Sequence, residues 1–471
     1  MDIFLNNTLS GEKEKFVPLK EGIVSIYHCG PTVYWDQQIG NMRAMVMADL
    51  VRRTFIYNNY EVIFVRNYTD VGHLTGDNIG DADSGEDRME KAAKREHLSP
   101  DIIADKYIQG FKEDIASLNV IYPTFDPRAT HFIPDIIAMV QTLIDKGYAY
   151  KTPHAVYFDV HKFPKYTKLS RQNLDELEKG KGHGTASDEN KKNPQDFSLW
   201  FFKTGPHANA LQTWKSPFDS PLVKDGEGFP GWHIECSAMS KHYLGNTLDI
   251  HMGGVEHISI HHTNEIAQSE SANGQTFVHY WLHNEHLLVD SKRMGKSEGN
   301  AYILKDILQR NFSPISLRYL FLQAHYRSKQ NFTWESLEAA ETTLKRLRSI
   351  VNETTNTGKI HETYKQSFLN LINDDFNIPG AVGLVWEILK DKSISNEDKR
   401  ATLMDFDKVL GLELDKIEKI EIPENVQKLV DEREKARGGK DFTKSDELRK
   451  EIESLGFDVK DTDSGSKVTK T

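Results

Sequence analysis

The chain has 471 residues, 38% hydrophobic and 27% charged, with 59 basic against 70 acidic side chains and a net charge of −11. Its 23 Phe, 17 Tyr and 7 Trp exclude a disordered chain, and no apolar stretch approaches the ~20 residues of a membrane span. The acidic balance excludes coating nucleic acid by bulk charge, and two cysteines, Cys29 and Cys236, exclude a disulfide framework. At roughly 150 residues per domain, about three domains are expected. The N-terminal MDIFLNNTLSGEKEK lacks the basic-then-apolar layout of a signal peptide, so a cytoplasmic location is expected.

Ile23-Val-Ser-Ile-Tyr predicts a short strand that ends at Cys29-Gly-Pro-Thr. Apolar residues at helical spacing then predict a helix over 42–57, and Glu61-Val-Ile-Phe-Val-Arg a second strand. Strand, helix and strand in succession make a βαβ unit, whose parallel sheet collects ligands at the strand carboxyl ends. Cys29, Thr32 and the turn Gln38-Ile-Gly-Asn fall at that end. Helices are expected within 87–118, with Ser99-Pro100 as cap and first turn, and from Pro134 to Lys146. A hairpin is expected over 148–158 and a polar surface loop over 162–193. The glycines 180, 182 and 184 make a poor phosphate loop, because no strand precedes them and no Lys-Ser/Thr follows. The sheet pattern resumes near Phe197, at 247–251 and at 277–281, so an insertion near 120–200 divides the βαβ domain. From 302 to 411 the pattern is helical, and a charged helical pair at 425–455 precedes a small terminal hairpin. There is no internal repeat.

His261 and Glu265 stand four apart at the start of a predicted helix, one turn apart on one face, as paired metal ligands require. With Cys29 and Cys236, the latter in Gly231-Trp-His-Ile-Glu-Cys at a predicted strand-end turn, they supply the mixture that zinc accepts tetrahedrally. Spacing alone does not make them converge. His28, His233, His251, His257 and His262 are rival donors. A basic loop, Lys292-Arg-Met-Gly-Lys-Ser297, follows an apolar run and suits developing charge on a triphosphate.

Several motifs together carry a resemblance. They are Cys-Gly-Pro-Thr-Val-Tyr (29–34), Asn-Pro-Gln-Asp-Phe-Ser-Leu-Trp (193–200) and Gly-Trp-His-Ile-Glu-Cys-Ser-Ala-Met (231–239). Asp-Ile-His (249–251), His-His-Thr-Asn-Glu-Ile-Ala-Gln-Ser (261–269) and Arg-Met-Gly-Lys-Ser (293–297) follow in the same order. Over essentially its whole length the chain resembles the cysteinyl-tRNA synthetases, class I aminoacyl-tRNA synthetases.

The resemblance implies an α/β fold: a Rossmann-type parallel-sheet catalytic domain with an insertion, an α-helical bundle and a small C-terminal anticodon-binding domain. Catalytic halves are expected at 1–119 and 206–300, around a connective insertion at 120–205. A stem-contact region at 301–345, just downstream of the KMSKS-type loop, is expected to lead to a helical bundle at 346–412 and the anticodon-binding domain at 413–471. One zinc per chain would be held by Cys29, Cys236, His261 and Glu265. The HIGH signature falls at Gln38–Asn41 and the KMSKS loop at Arg293–Ser297. Gln38, Asn41 and Lys296 would then be catalytic, and Gly40, Arg293 and Ser297 would join them in binding ATP with Mg2+. Gly30, Thr32 and Trp232 would line the cysteine pocket. The implied reaction is ATP-dependent ligation of L-cysteine to tRNA(Cys) through a cysteinyl-adenylate, with the substrate thiolate selected by the zinc. No editing domain is then needed, because a soft thiolate is told from a hard hydroxyl by the metal. Arg437, Phe442 and Asp446 would contact tRNA, with Lys345, Arg346 and Arg348 as further candidates; the bland alternative puts Phe442 in a small core. The family implies a monomer with no membrane partner.

Three departures stand out. Gln38 replaces the first signature histidine, with Arg43 as a nearby compensating cation, and Asn41 replaces the last. Gly295 replaces the loop serine and Arg293 its first lysine. Residues 218–229 form a longer link than the family uses. Gln38 favours one rival, a catalytically impaired paralogue that binds RNA or zinc. A second rival, a ligase joining cysteine to a small amine as in mycothiol synthesis, lacks an anticodon-binding end, so residues 425–471 oppose it.

Overall fold

The computed structural model describes residues 2–72, 74, 86–172, 188, 190–295, 298–416, 423–462 and 465–470. They form two compact units, Met1–Leu414 and Asp415–Thr471.

In the first unit an antiparallel pair, β1 (Phe4–Asn7) and β2 (Glu12–Lys15), opens the chain. The β-branched run β3 (Ile23–His28) passes through a ten-residue loop, 29–38, into α1 (Ile39–Tyr57). The chain returns as β4 (Glu61–Arg66), parallel to β3. Helices α2 (Arg88–Glu96) and α3 (Pro100–Ser117) follow, α2 capped by the Asp87 carboxylate on the N–H groups of Met89 and Glu90. Next comes α4 (Ile133–Asp145) and a four-stranded antiparallel sheet, β5 (Ala149–Lys151), β6 (Ala155–Phe158), β7 (Phe197–Phe202) and β8 (Gly228–Pro230).

The run at Phe197 therefore does not resume the parallel sheet. It is β7 of a separate sheet, paired with β6 and β8. All six of its residues are buried, so its composition carried no alternation to tell one sheet from another. The 218–229 link supplies β8 and caps that sheet: Phe218 packs edge-on against Trp200 at 5.8 Å, and the indole N–H of Trp200 donates to Gly226 O.

The parallel sheet continues after α5 (Trp232–Leu244) with β9 (Leu248–Gly254), α6 (His261–Asn273) and β10 (Val278–Asn284). Its order is β10-β9-β3-β4. Alternation along β3 sends Val24 and Ile26 into the core shared with Met42, Val46 and Leu50 of α1. Tyr27 and Cys29 go to the opposite core, with Cys236 and Met239 of α5, Ile266 of α6 and Trp281. Cys29 thus meets α5 and α6 because it is one residue out of phase with His28.

Beyond β10, a small sheet pairs β11 (Leu287–Val289) with β12 (Lys292–Arg293) and β13 (Gln330–Phe332). Helices Trp334–Val351, Glu362–Ile372, Ile378–Lys390 and Asn396–Leu410 complete the unit. Arg348 belongs to their interior, 7% exposed and donating to Leu412 O, and is not a surface contact for RNA. In the second unit, helices Glu424–Gly438 and Phe442–Ser454 pack on a hairpin, β14 (Phe457–Thr462) and β15 (Gly465–Lys470), around Val426, Val430, Ile452 and Phe457. Among the described residues no helix is long and apolar enough to cross a membrane.

Candidate active site and metal cluster

The carboxyl ends of the parallel strands open into a cleft of about 410 Å³. Two groups of side chains meet on its walls.

The first is a cluster of side chains that could hold a metal ion. Cys29 comes from the end of β3, Cys236 from the first turns of α5, and His261 and Glu265 from the start of α6. Cys236 is placed by a helix and not by a strand-end turn, because Gly231 caps α5 directly after β8. A Cβ on Gly231 would lie 2.1 Å from Ser198 O, so only glycine lets this helix start so close to β7. One ligand atom from each of the four residues lies within 4.8 Å of the other three, and all four residues are buried. The separations are 4.0 Å between the sulfurs, 3.6 Å from Cys236 Sγ to His261 Nε2, 3.7 Å from Cys29 Sγ to Glu265 Oε1 and 2.9 Å from His261 Nε2 to Glu265 Oε1, a hydrogen-bond length that a shared ion would open. A tetrahedral zinc with bonds of 2.0–2.3 Å has ligand–ligand edges of about 3.3–3.8 Å. The donor set and its spacing fit that ion.

The rival histidines are close by and mostly support the ligands. His251 Nε2 lies 2.8 Å from Glu265 Oε2, and His233 Nδ1 lies 2.8 Å from His261 Nδ1. Contacts of this kind fix a ligand's orientation and tautomer. His262 Nε2 is 3.3 Å from Cys29 Sγ, so Cys29, His251, His262 and Glu265 form a second, overlapping group. Cys29, Cys236 and His261 border the cleft, whereas His251 and His262 do not. A cation meant to touch a substrate therefore suits the first group. Its side chains are already polarised for one. Burial opposes ionisation of Glu265, yet the imidazoles of His251 and His261 hold its carboxyl well below the usual range. The hydrogen bond from Cys29 draws the Cys236 thiol down to about 6, while burial pushes the Cys29 thiol up. Ionised sulfur and carboxylate in a dry wall call for positive charge, which the imidazole of His261, drawn up to about 10 by Glu265 and Cys236 against the effect of burial, also meets.

The second group surrounds the N-terminus of α1. Gln38 is its N-cap with no side-chain cap bond, and the first turn carries no acidic residue, which leaves the helix end open to an anion. Gly40 faces the loop after β12: a Cβ there would sit 3.6 Å from Met294 Cε. Gln38, Gly40, Asn41, Arg293, Thr32, Gly30 and Trp232 all border the cleft. Asn41 Nδ2 donates to Gln37 Oε1 at 2.7 Å, and Gln37 Nε2 donates to Thr32 O. Gly30 N–H donates to Asn67 Oδ1 at 2.9 Å, and a Cβ at Gly30 would overlap Asn67 O at 1.6 Å. The Trp232 ring stacks on His261 at 4.2 Å, so this wall of the cleft and the cluster are one packed unit. Lys296 and Ser297 lie outside the described residues.

Arg43 does not compensate for Gln38. It is fully buried and donates to the carbonyls of Glu285, His325 and Ser328. Five residues beyond Gln38, it has turned to the far side of α1. The cleft also takes in Trp35, Arg88 and His286, which carry no motif that a sequence reading would single out.

Family comparison decides what this cleft belongs to. The description "tRNA synthetases class I (C) catalytic domain" matches residues 15–342, and "Cysteinyl-tRNA ligase anticodon binding domain" matches 420–468. Cysteine--tRNA ligase 1 of Burkholderia lata is 40% identical, covering 99% of this chain and 97% of its own. The chain belongs to the cysteine--tRNA ligase family. Members from Treponema denticola and Thermus thermophilus are each 38% identical, with at least 98% of both chains covered. Methionyl-tRNA synthetase of Mycobacterium tuberculosis, solved with methionyl-adenylate, shares the fold at a TM-score of 0.54 and 13% identity, over 83% of this chain and 90% of that one. The protein is thus a class I aminoacyl-tRNA synthetase, an enzyme with a cysteine--tRNA ligase's anticodon-binding domain.

In that domain Phe442 opens its helix 58% exposed, so it is not a core residue. Asp446 is exposed one turn later, and Arg437 reaches Asp461 at 3.2 Å. In the first unit Lys345 pairs with Glu341, and Arg346 lies over the Trp386 ring.

Proposed function

We propose that this ligase couples L-cysteine to tRNA(Cys) through a cysteinyl-adenylate, selecting the substrate's sulfur with one zinc held by Cys29, Cys236, His261 and Glu265. The observation that carries the reading is that three members of this buried quartet, Cys29, Cys236 and His261, border one cleft with the open N-terminus of α1. Zinc held there would supply a soft cation that prefers a thiolate to the hydroxyl of serine.

The remaining chemistry needs no side-chain nucleophile and rests on positioning and charge. ATP, with Mg2+, lays its phosphates at the α1 N-terminus, where Gln38 and Asn41 donate and Arg293 borders the cleft; Lys296 and Ser297 are the further ATP-binding residues. Gly40 leaves room for the nucleotide. Gly30, Thr32 and Trp232 orient cysteine so that its carboxylate oxygen attacks the α-phosphorus and pyrophosphate leaves. A terminal ribose hydroxyl of tRNA then takes the acyl group and AMP departs. Arg437, Phe442 and Asp446 hold the anticodon end by phosphate contact, stacking and base-edge bonds. The enzyme works as a cytoplasmic monomer. The domain limits expected from sequence serve as the working division, except that the insertion runs on to β8, with tRNA stem contacts at 301–345.

Purified protein is expected to exchange pyrophosphate into ATP only when cysteine is present, and then to charge tRNA for cysteine. Exchange without charging would point to a ligase for a small amine; neither activity would point to an impaired paralogue. Gln38→His is expected to leave exchange unchanged or to raise it, because a missing charge-stabilising donor costs about 10²-fold or more. An exchange rate about ten-fold lower in that variant would give Gln38 a local role of its own.

A further inference from the structure

The loop between β3 and α1 carries a feature that the reaction above does not use. Trp35 lines the cleft, and the Arg95 guanidinium of α2 lies 4.1 Å from the centre of its ring. Arg95 is itself braced: Nη2 donates to Tyr34 O at 3.1 Å and pairs with Glu96, which also accepts from Lys106 and the Tyr107 hydroxyl. Beside it, Arg88 lies 5.5 Å above the Tyr34 ring, donates to the Tyr34 hydroxyl at 3.0 Å and also borders the cleft. An indole held against one guanidinium, with a second guanidinium on the same wall, is a surface for a planar base followed by a phosphate.

We propose that Trp35, backed by Arg95, is the stacking platform for the terminal base of the tRNA's single-stranded 3′ end, with Arg88 facing its phosphate. The proposal rests on the ligase reading above and assigns a subsite within it. The other base available to this cleft, that of ATP, has a better seat. Gly40, Leu287 and Met294 border the cleft as an apolar patch beside the α1 N-terminus, Met294 Cε and Leu287 Cβ lying 3.6 and 3.8 Å from where a Gly40 Cβ would be. A nucleotide whose phosphates lie at that helix end places its base there. The charged wall at Trp35 is left for a strand that must bring one ribose hydroxyl to the adenylate. The acids near it are Asp36 on the loop, Glu90 and Glu96; Glu90 accepts from Leu211 N and Glu96 is neutralised by Arg95 and Lys106. Arg88 is the cation that borders the cleft on this wall.

The test compares two reactions that differ only in their need for tRNA. In Trp35→Ala, the fall in tRNA charging is expected to exceed the fall in cysteine-dependent pyrophosphate exchange by about ten-fold, through the KM for tRNA. Trp35→Phe, which keeps a ring, is expected to recover most of that difference. Equal losses in both reactions would move Trp35 to the ATP and cysteine pocket and overturn the proposal, as would no loss in either. Binding supplies a readout independent of activity. An acceptor-stem RNA hairpin is titrated with and without its unpaired terminal adenosine. Removing that base is expected to weaken binding to the parent protein and not to Trp35→Ala; the same cost in both proteins would sink the platform. A parent protein that binds the hairpin in this way but neither exchanges nor charges would sink the ligase reading and leave the platform standing.

Discussion

Cys236→Ser is expected to take zinc from about one ion per chain to almost none, measured by elemental analysis of the purified protein. The hydroxyl that replaces the sulfur is a hard donor, and it stays protonated where a thiolate would bind. Losing an outer partner of a ligand typically costs 10–100-fold in affinity or activity, so losing a ligand should reach at least ~100-fold in cysteine-dependent exchange. Selectivity should change as well. Cysteine and serine are near-isosteres, and a pocket that works by shape alone separates such pairs by only ~10²-fold. The cysteine-to-serine ratio in exchange is therefore expected to fall to ~10² or below. His262→Ala makes the decisive contrast, because His262 belongs only to the overlapping group of Cys29, His251, His262 and Glu265. It should keep its zinc. Zinc retained by Cys236→Ser and lost by His262→Ala would hand the ion to that second group.

That contrast is needed because of what a linear chain conceals. The βαβ start was legible, since the β3 run, the α1 periodicity and the β4 run are local patterns, and so was the pairing of His261 with Glu265, one helical turn apart. Which of the histidines completes the cluster was not. That depends on β3 presenting Cys29 toward α5 and α6, and on Gly231 letting α5 begin against β7, both of which are tertiary facts. Arg43 and Arg348 show the opposite failure. Each is a cation close in sequence to a functional motif or on an apparently polar helix, and each proves to be buried among carbonyls. Charge composition reads as surface until packing shows otherwise. Trp35 carried no signal at all, because its partner Arg95 comes from a helix sixty residues away.

Asp49→Asn is expected to destabilise the first unit by about 3–5 kcal/mol, because it removes the charge opposite a buried arginine. Asp49 lies within α1 and is 2% exposed; Arg318 is fully buried. The carboxylate accepts from Arg318 Nη2 at 2.7 Å, Arg53 Nε at 2.7 Å and Ile121 N at 2.8 Å. Arg318 also donates to the carbonyls of Leu410, Leu118 and Asn119, so one ion pair ties α1 to the chain after α3 and to the end of the Asn396–Leu410 helix. Burial alone would raise the Asp49 pKa, but the guanidinium groups of Arg318 and Arg53 outweigh it and hold the carboxyl below its ordinary value. A depressed folded pKa contributes stability that is fully present above the unfolded pKa of ~3.9, and that is lost as pH falls through the folded value. The gap in urea midpoint between wild type and Asp49→Asn should therefore be widest near neutral pH and shrink below about pH 4. A gap of the same size at both pH values would mean that the asparagine loses only hydrogen-bond geometry. Arg318→Met/Asp49→Leu together should recover much of the loss, since an apolar pair of similar volume often replaces a buried ion pair at little cost. Recovery in the double variant with loss in the single one would locate the penalty in the unpaired charge of Arg318, where the geometry puts it.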